Sequence, residues 1–328
     1  MRSSPNLRPL IGMTICLALL LACTTDAQKP TASAPRTPAP SNTSAAPPSG
    51  ARAGAPAFEG ARAWEHLRKQ VAFGPRPAGS AALAECRRYI GAQLKLLGLD
   101  VTEQAFDGDT PRGRIPMVNL IARIPGRRAE RIVIATHYDT KLFKDFRFVG
   151  ASDAASSTAT VLELARVLKA APHDYTIEFL FLDGEEAVVE WQGNDHTYGS
   201  RHYVDAARKD GSLARLSALV LLDMVGDKDL DIRRDANSTP WLVDIVWAAA
   251  ATRGYRSTFL DELTSIEDDH IPFVRAGVPS VDIIDLNYAA WHTPLDDLAH
   301  VSAGSLQIVG DVVLDAFPRI EARLAAGR

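Results

Sequence analysis

The stretch TIEFLFLDGEE, residues 176–186, is mostly apolar and rich in aromatic and β-branched side chains through Leu182, interrupted by Glu178, then ends in Asp183, a glycine and two adjacent glutamates, Glu185 and Glu186. A short continuous apolar run reads as a strand buried on both faces, the pattern of a parallel sheet covered by helices on each side. Segments of the same kind occur at residues 118–124, 131–136, 218–222 and 280–284. Helical periodicity precedes or separates them at residues 61–73, 81–97, 155–169, 200–209, 240–253 and 271–275. This alternation predicts an α/β fold: a single domain with an open, mostly parallel mixed sheet and helices on both faces, an α/β/α sandwich.

In such sheets ligands bind beyond the carboxyl ends of the strands, so the residues just after each strand carry the functional question. Read in order, those ends hold His137 and Asp139 in ATHYDT, Asp153 in GASDAA, Glu185 and Glu186, Asp223 in LLDMVG, and Trp291 with His292 in AAWHTPLDD. One acidic pair is usually a solvated turn, and one histidine usually satisfies a backbone group. Carboxylates and imidazoles gathered at one sheet edge are different, because they repel unless a cation or a proton is shared among them. Carboxylate plus imidazole is also the ligand chemistry of zinc.

The chain has 328 residues and opens MRSSPNLRPLIGMTICLALLLAC, basic residues followed by an apolar run ending in small residues before Cys23. That is a secretion signal with the look of a bacterial lipobox, so residues 1–22 are expected to be removed and Cys23 lipidated. Residues 23–57 are dominated by Ala, Pro, Ser and Thr and read as a disordered tether. Residues 58–328 remain as the expected folded domain, the part that carries the strand-end carboxylates and histidines. These features lead us to expect the protein in the cell envelope, secreted and lipid-anchored to a membrane through Cys23, with the outer membrane facing the periplasm as the expected site; an ordinary cleaved signal followed by an incidental cysteine is the other reading. A net charge of −4 without a marked basic cluster argues against nucleic acid as a partner. Of the three cysteines, Cys86 stands alone in the folded part and is expected as a small core residue.

The order HYD, GASDAA, FLDGEE, LLDMVG and WHT, with the early turn GPRPAGS, resembles the M28 class of zinc exopeptidases. Within that class the chain is similar to glutaminyl cyclases through GEEAVVEW, YGSRH, IEDDHIPFVRAGVP and the Trp before His292, and the likeness spans about residues 60–325. The resemblance implies one zinc per chain held by Asp153, Glu186 and His292, with the fourth position open for chemistry. It implies that Glu185 carries the proton, Asp223 and Asp268 form a catalytic carboxyl network, and Trp191, Trp291 and His270 contact substrate, although His270 reads equally as a residue in a structural hydrogen bond. The implied enzyme is an acyltransferase, a glutaminyl-peptide cyclotransferase. Its partners are peptides or proteins with N-terminal Gln, converted to pyroglutamate with loss of ammonia. Asp269 reads equally as an N-cap for the helix that follows, and Gly199-Ser200-Arg201-His202 as a helix start that braces the loop before it.

Two other readings stay open at this point. His137 and Asp223 stand where a second metal would bind in an M28-type zinc aminopeptidase with two metals, in which Glu185 would activate a water to cut a peptide bond. A non-catalytic envelope binding protein on the same scaffold is the third reading, since fold alone does not specify function.

Overall fold

The computed structural model describes residues 56–327. The expected signal segment, Cys23 and nearly all of the tether lie outside the described residues. The chain begins with helices α1 (Gly60–Ala72) and α2 (Ala81–Leu96), then strands β1 (Val101–Thr110), β2 (Gly113–Ile124) and β3 (Arg128–His137). A short irregular helical turn, Ala151–Ser156, leads into α3 (Ser157–Lys169), β4 (Tyr175–Leu182), α4 (Tyr198–Lys209) and β5 (Leu216–Asp223). The last third holds β6 (Ile232–Asp235), α5 (Pro240–Thr252), β7 (Phe259–Thr264), α6 (His270–Arg275), β8 (Ser280–Ile284) and α7 (Ala303–Ala326).

The main sheet has the order β1-β2-β4-β3-β5-β8. Strands β4, β3, β5 and β8 run parallel, while β2 is antiparallel to both β1 and β4. From β3 the chain steps one way to β4, then crosses back through α4 to β5 on the other side of β3. The strand order therefore reverses between β3 and β5, which is where a crevice opens at the carboxyl ends.

Side chains alternate between two cores, as the period of two along a strand requires. Ile132, Ile134, Phe179, Phe181, Val220 and Leu222 join one core with residues of α1, α2, α3, α5 and α7. Val133, Ala135, Leu180, Leu182, Leu219 and Leu221 join the other with Tyr203 and Val204 of α4 and Phe273 of α6. Each of the Val, Ile, Leu and Phe side chains contributes about 1.5–3 kcal/mol on burial, so these strands are held by both layers at once. Cys86 is a free, fully buried thiol, and burial pushes its pKa up to about 11.

Four elements depart from the sequence reading, among them the short strands β6 and β7, which pair as a separate two-stranded sheet. The edge strand β1, VTEQAFDGDT, was not expected, because only one of its residues is buried and its polar side chains hide the alternation. It pairs with β2 along its whole length, and the turn between them uses Gly113 at φ +98. Helix α7 was missed as well, since Pro318 and Gly310 interrupt its pattern. Its buried face at Leu306, Val309, Val313, Phe317 and Ile320 repeats at helical spacing and outweighs the hydrogen bond that Pro318 removes. Gly310 is needed there because a Cβ would sit 2.5 Å from the Phe58 ring.

Candidate active site

The acidic pair is presented by a tight turn at the end of β4. Gly184, at φ +72, lets the chain turn immediately after the strand, and both Glu185 and Glu186 then line the same cavity rather than opposite faces. Asp139, just past β3, fixes this turn by accepting the N–H groups of Glu185 at 3.1 Å and Glu186 at 3.3 Å. The Lys141 N–H donates to Glu186 Oε1 at 2.9 Å. Asp153 sits on the turn before α3, where Asp296 accepts the N–H groups of Ser152 at 2.7 Å and Asp153 at 3.2 Å. Arg76, fully buried, donates to the carbonyls of Val149 at 2.8 Å and Gly150 at 3.2 Å and so anchors the start of that turn. His292 adopts φ +54, a left-handed conformation uncommon for a residue with a side chain and frequent at functional sites. Its ring stacks on Trp291 at 4.4 Å and meets the Phe143 and Phe148 rings edge to face.

These turns bring three donors together. His292 Nε2 lies 3.4 Å from Asp153 Oδ2 and 3.4 Å from Glu186 Oε1. Ligands of a tetrahedral zinc at its usual bond lengths are about 3.3 Å apart, so this set fits such an ion. The local electrostatics also call for a cation: burial alone would lower the His292 pKa, yet its bonds to Asp153 and Glu186 raise it to about 9. Next to this set, His137 Nε2 is 3.0 Å from Asp223 Oδ1 and 3.3 Å from Asp153 Oδ1, and those donors form a second group able to hold a metal. His137 Nδ1 is 3.8 Å from Glu185 Oε2. Burial opposes charge on His137, but Asp223 and Glu185 outweigh it and hold its pKa well above the ordinary range.

The cavity in front of these groups has a volume of about 370 Å³ and is lined by Glu185, Asp223, Asp268, Trp191 and Trp291 as well as the three donors. Burial and the nearby Asp223 push Asp268 up to about 7. Trp191 is 39% exposed and Trp291 41%, so neither is a core aromatic; both wall the cavity mouth. Trp191 stacks on His196 at 4.2 Å. Its loop hangs on Asp195, which accepts the N–H groups of Val188 at 3.1 Å, Val189 at 2.8 Å and Glu190 at 3.0 Å and the Tyr198 hydroxyl at 2.7 Å. Arg201 closes the loop by donating to the carbonyls of Asn194 at 2.6 Å and His196 at 2.7 Å, the bracing expected of that helix start.

Residues 119–317 match the profile of Peptidase family M28. The chain belongs to peptidase family M28. Within it, the chain is 32% identical over 267 residues to the glutaminyl-peptide cyclotransferase of Drosophila melanogaster, covering 72% of this chain and 75% of that protein. The crystal structure of an Acidobacteriales bacterium glutaminyl cyclase superposes with a TM-score of 0.79 at 39% identity, covering 85% of this chain and 100% of that one. The glutaminyl cyclase of Porphyromonas gingivalis gives a TM-score of 0.74 at 28% identity, covering 80% of this chain and 98% of that one. The single α/β domain and its mostly parallel sheet are therefore those of M28 proteins of the glutaminyl cyclase kind.

Placed in this M28 frame, Asp153, Glu186 and His292 converge as one group, and Glu185, Asp223, Asp268, Trp191 and Trp291 line one cavity with them. His270 does not. It was expected to contact substrate, but it is fully buried and absent from the cavity lining, facing Asp235 and Asp282 instead. Asp269 stands at the N-cap position of α6 without capping it; its carboxylate takes the Ser200 hydroxyl at 2.5 Å. The supporting residues Asp139, Asp195, Asp296 and Arg76 were not assigned from sequence. Asp139 and Asp296 sit inside the quoted HYD and WHTPLDD motifs, whereas Asp195 had no signal beyond its place in a polar loop.

Removing the Asp195 carboxylate tests the loop directly. Asp195→Ala should raise KM roughly 10-fold while changing kcat less, because a displaced Trp191 costs binding that ground and transition states share. An unchanged KM would show that Trp191 is held by other contacts.

Proposed function

We propose that this chain is a zinc-dependent glutaminyl-peptide cyclotransferase, an acyltransferase that converts N-terminal Gln of peptides or proteins to pyroglutamate and releases ammonia. The observation that carries the reading is the placement around one cavity of the Asp153, Glu186 and His292 donors, the neighbouring Glu185 outside that group, and two half-exposed tryptophans. Asp153, Glu186 and His292 would hold one zinc. When bound there, zinc supplies Lewis acidity to the γ-carbonyl oxygen of the substrate glutamine and stabilises the negative charge that develops on it.

The remaining work belongs to side chains. Glu185 takes a proton from the α-amino nitrogen as that nitrogen bonds to the γ-carbon, then delivers it to the departing carboxamide nitrogen, which leaves as ammonia. Glu185 is thus base and acid in turn, and no external water is consumed. Asp223 and Asp268 line the same cavity, and burial together with the charge of Asp223 lifts Asp268 to about 7, so it can hold a proton beside Glu185 near neutral pH. Trp191 and Trp291 hold the Gln side chain curled towards its own amine, and that preorganisation accounts for much of the acceleration of an intramolecular attack.

His137 and Asp223 are the residues that a second metal would need, and with Asp153 they form the other donor group of this cavity. In the cyclotransferase reading His137 Nε2 instead donates to Asp223 Oδ1, 3.0 Å away, and orients that acid. Metal analysis of purified protein separates the cases: one tightly held zinc per chain supports the cyclotransferase, two support an aminopeptidase.

We also propose that Cys23 carries a lipid anchor and that the tether suspends residues 58–328 from the envelope membrane, on the composition of the N-terminal segment. Cys23→Ser should move the protein from the membrane fraction to the soluble fraction without changing its specific activity. Continued membrane association would refute the anchor.

A further inference from the structure

His292 is held in place differently from the two carboxylates beside it. Asp153 and Glu186 sit on turns whose N–H groups are fixed by Asp296 and Asp139. The imidazole has no comparable tie. Its Nε2 faces Asp153 and Glu186 at 3.4 Å each, while its Nδ1 makes no hydrogen bond among the described residues. A metal-binding histidine ordinarily donates its second ring N–H to a carbonyl or carboxylate, and that bond fixes the plane of the ring. Something else has to fix it here, because χ2 of a histidine is a soft torsion and its rotation would swing Nε2 away from both carboxylates.

Aromatic rings surround the imidazole instead. Trp291 stacks on it with centroids 4.4 Å apart and 26° between the planes. Phe143 meets it at 5.4 Å and 70°, and Phe148 at 5.8 Å and 86°. Phe143 and Phe148 also pack edge to face on each other at 5.3 Å, and Phe146 stacks on Phe143 at 4.4 Å. One stacked neighbour and two nearly perpendicular ones leave the ring few orientations, so close packing restrains it where a hydrogen bond does not.

Both phenylalanines belong to the loop between β3 and the turn that carries Asp153. Arg76 ties the two ends of that loop together. Its N–H donates to the Thr140 hydroxyl at 2.9 Å and its carbonyl accepts the Thr140 N–H at 3.1 Å, while its guanidinium holds the carbonyls of Val149 and Gly150. Near the first end, the Lys141 N–H donates to Glu186 and the Lys141 ammonium to the Ala187 carbonyl at 3.0 Å. One loop therefore reaches all three donors: Glu186 through Lys141, His292 through Phe143 and Phe148, and Asp153 through the turn into which it runs.

We propose that Phe143 and Phe148 are positioning residues for the metal centre, orienting the His292 ring towards Asp153 and Glu186 in place of a hydrogen bond to Nδ1. The inference rests on the zinc reading above and adds to it two residues that do not line the substrate cavity.

Zinc affinity of the whole protein, measured by competition with a chromophoric chelator, tests it. Phe143 is only half-buried, so Phe143→Ala should keep the fold, read by circular dichroism. It should raise the zinc dissociation constant about 10-fold, the lower end of what loss of an outer-shell partner costs. Phe143→Tyr keeps the ring edge and should hold the affinity within about twofold of the parent. Leu142→Ala, on the same loop but 43% exposed, should change nothing. With cobalt(II) in place of zinc, the visible absorption reports ligand geometry, and it should change in Phe143→Ala but not in Phe143→Tyr. Parental zinc affinity or an unaltered cobalt spectrum in Phe143→Ala would overturn the inference, as would equal weakening by Phe143→Tyr or Leu142→Ala. A parent protein that binds no zinc, or a His292→Ala variant that keeps it, would instead overturn the zinc reading on which the inference rests.

Discussion

Glu185→Gln is expected to keep its metal and its substrate affinity and to lose turnover by at least ~10²-fold, the scale of general acid–base catalysis. Glutamine preserves the size of the side chain and its hydrogen bonding, and it leaves the Asp153, Glu186 and His292 donors in place. What it removes is the ability to carry the proton from the amine to the leaving nitrogen. The pH dependence gives the expectation a sign. Burial raises the Glu185 pKa well above the ordinary range, with Asp268 and Glu186 adding to it and His137 opposing. A base must be ionised, so activity should fall as pH drops through that raised pKa, and the acidic limb should disappear in the variant. Retention of the limb would remove Glu185 from the proton path, and loss of metal would mean that Glu185 and Glu186 have exchanged roles.

His292→Ala should abolish metal binding and reduce cyclisation by at least ~10²-fold, since two carboxylates without the imidazole leave the donor set incomplete and the developing charge unstabilised. The helices and the sheet should survive, because His292 lies on a loop after β8 and contributes to neither core. Zinc content measured beside the circular dichroism spectrum distinguishes this from misfolding. A variant that keeps its zinc would place the metal elsewhere, with the His137, Asp153 and Asp223 donors as the next candidate.

Much of the placement of the candidate site was legible in the sequence because it follows two simple rules. Buried parallel strands are written as unbroken apolar runs, and the ligand site lies at their carboxyl ends, so His137, Asp153, Glu186, Asp223 and His292 could be picked out before their geometry was known. Resemblance supplied their division into roles, which spacing alone did not. The misplacement of His270 has a physical reason: the segment after β7 turns so that Asp268 faces the cavity, while the first residue of α6 points into the buried space between Asp235 and Asp282. Residues two apart at a helix start diverge by about 200° of helical rotation, and nothing in the string EDDHIP says which of them will face the pocket. Edge strand β1 and helix α7 were hidden for a related reason, since exposure masked the pattern of one and Pro318 broke the pattern of the other.

The central claim is that this site closes a lactam and does not cut peptide bonds, and one assay addresses it most directly. Purified protein is incubated with Gln-Phe-Ala and, separately, with Leu-Phe-Ala, beside an enzyme-free blank that corrects for spontaneous cyclisation of glutamine, and the products are resolved by mass spectrometry. Only the Gln peptide has a γ-carboxamide that its own amine can attack, so the account predicts enzyme-dependent pyroglutamyl-Phe-Ala, equimolar ammonia and an untouched Leu peptide. Free Leu, or free Gln, without pyroglutamyl peptide would contradict it.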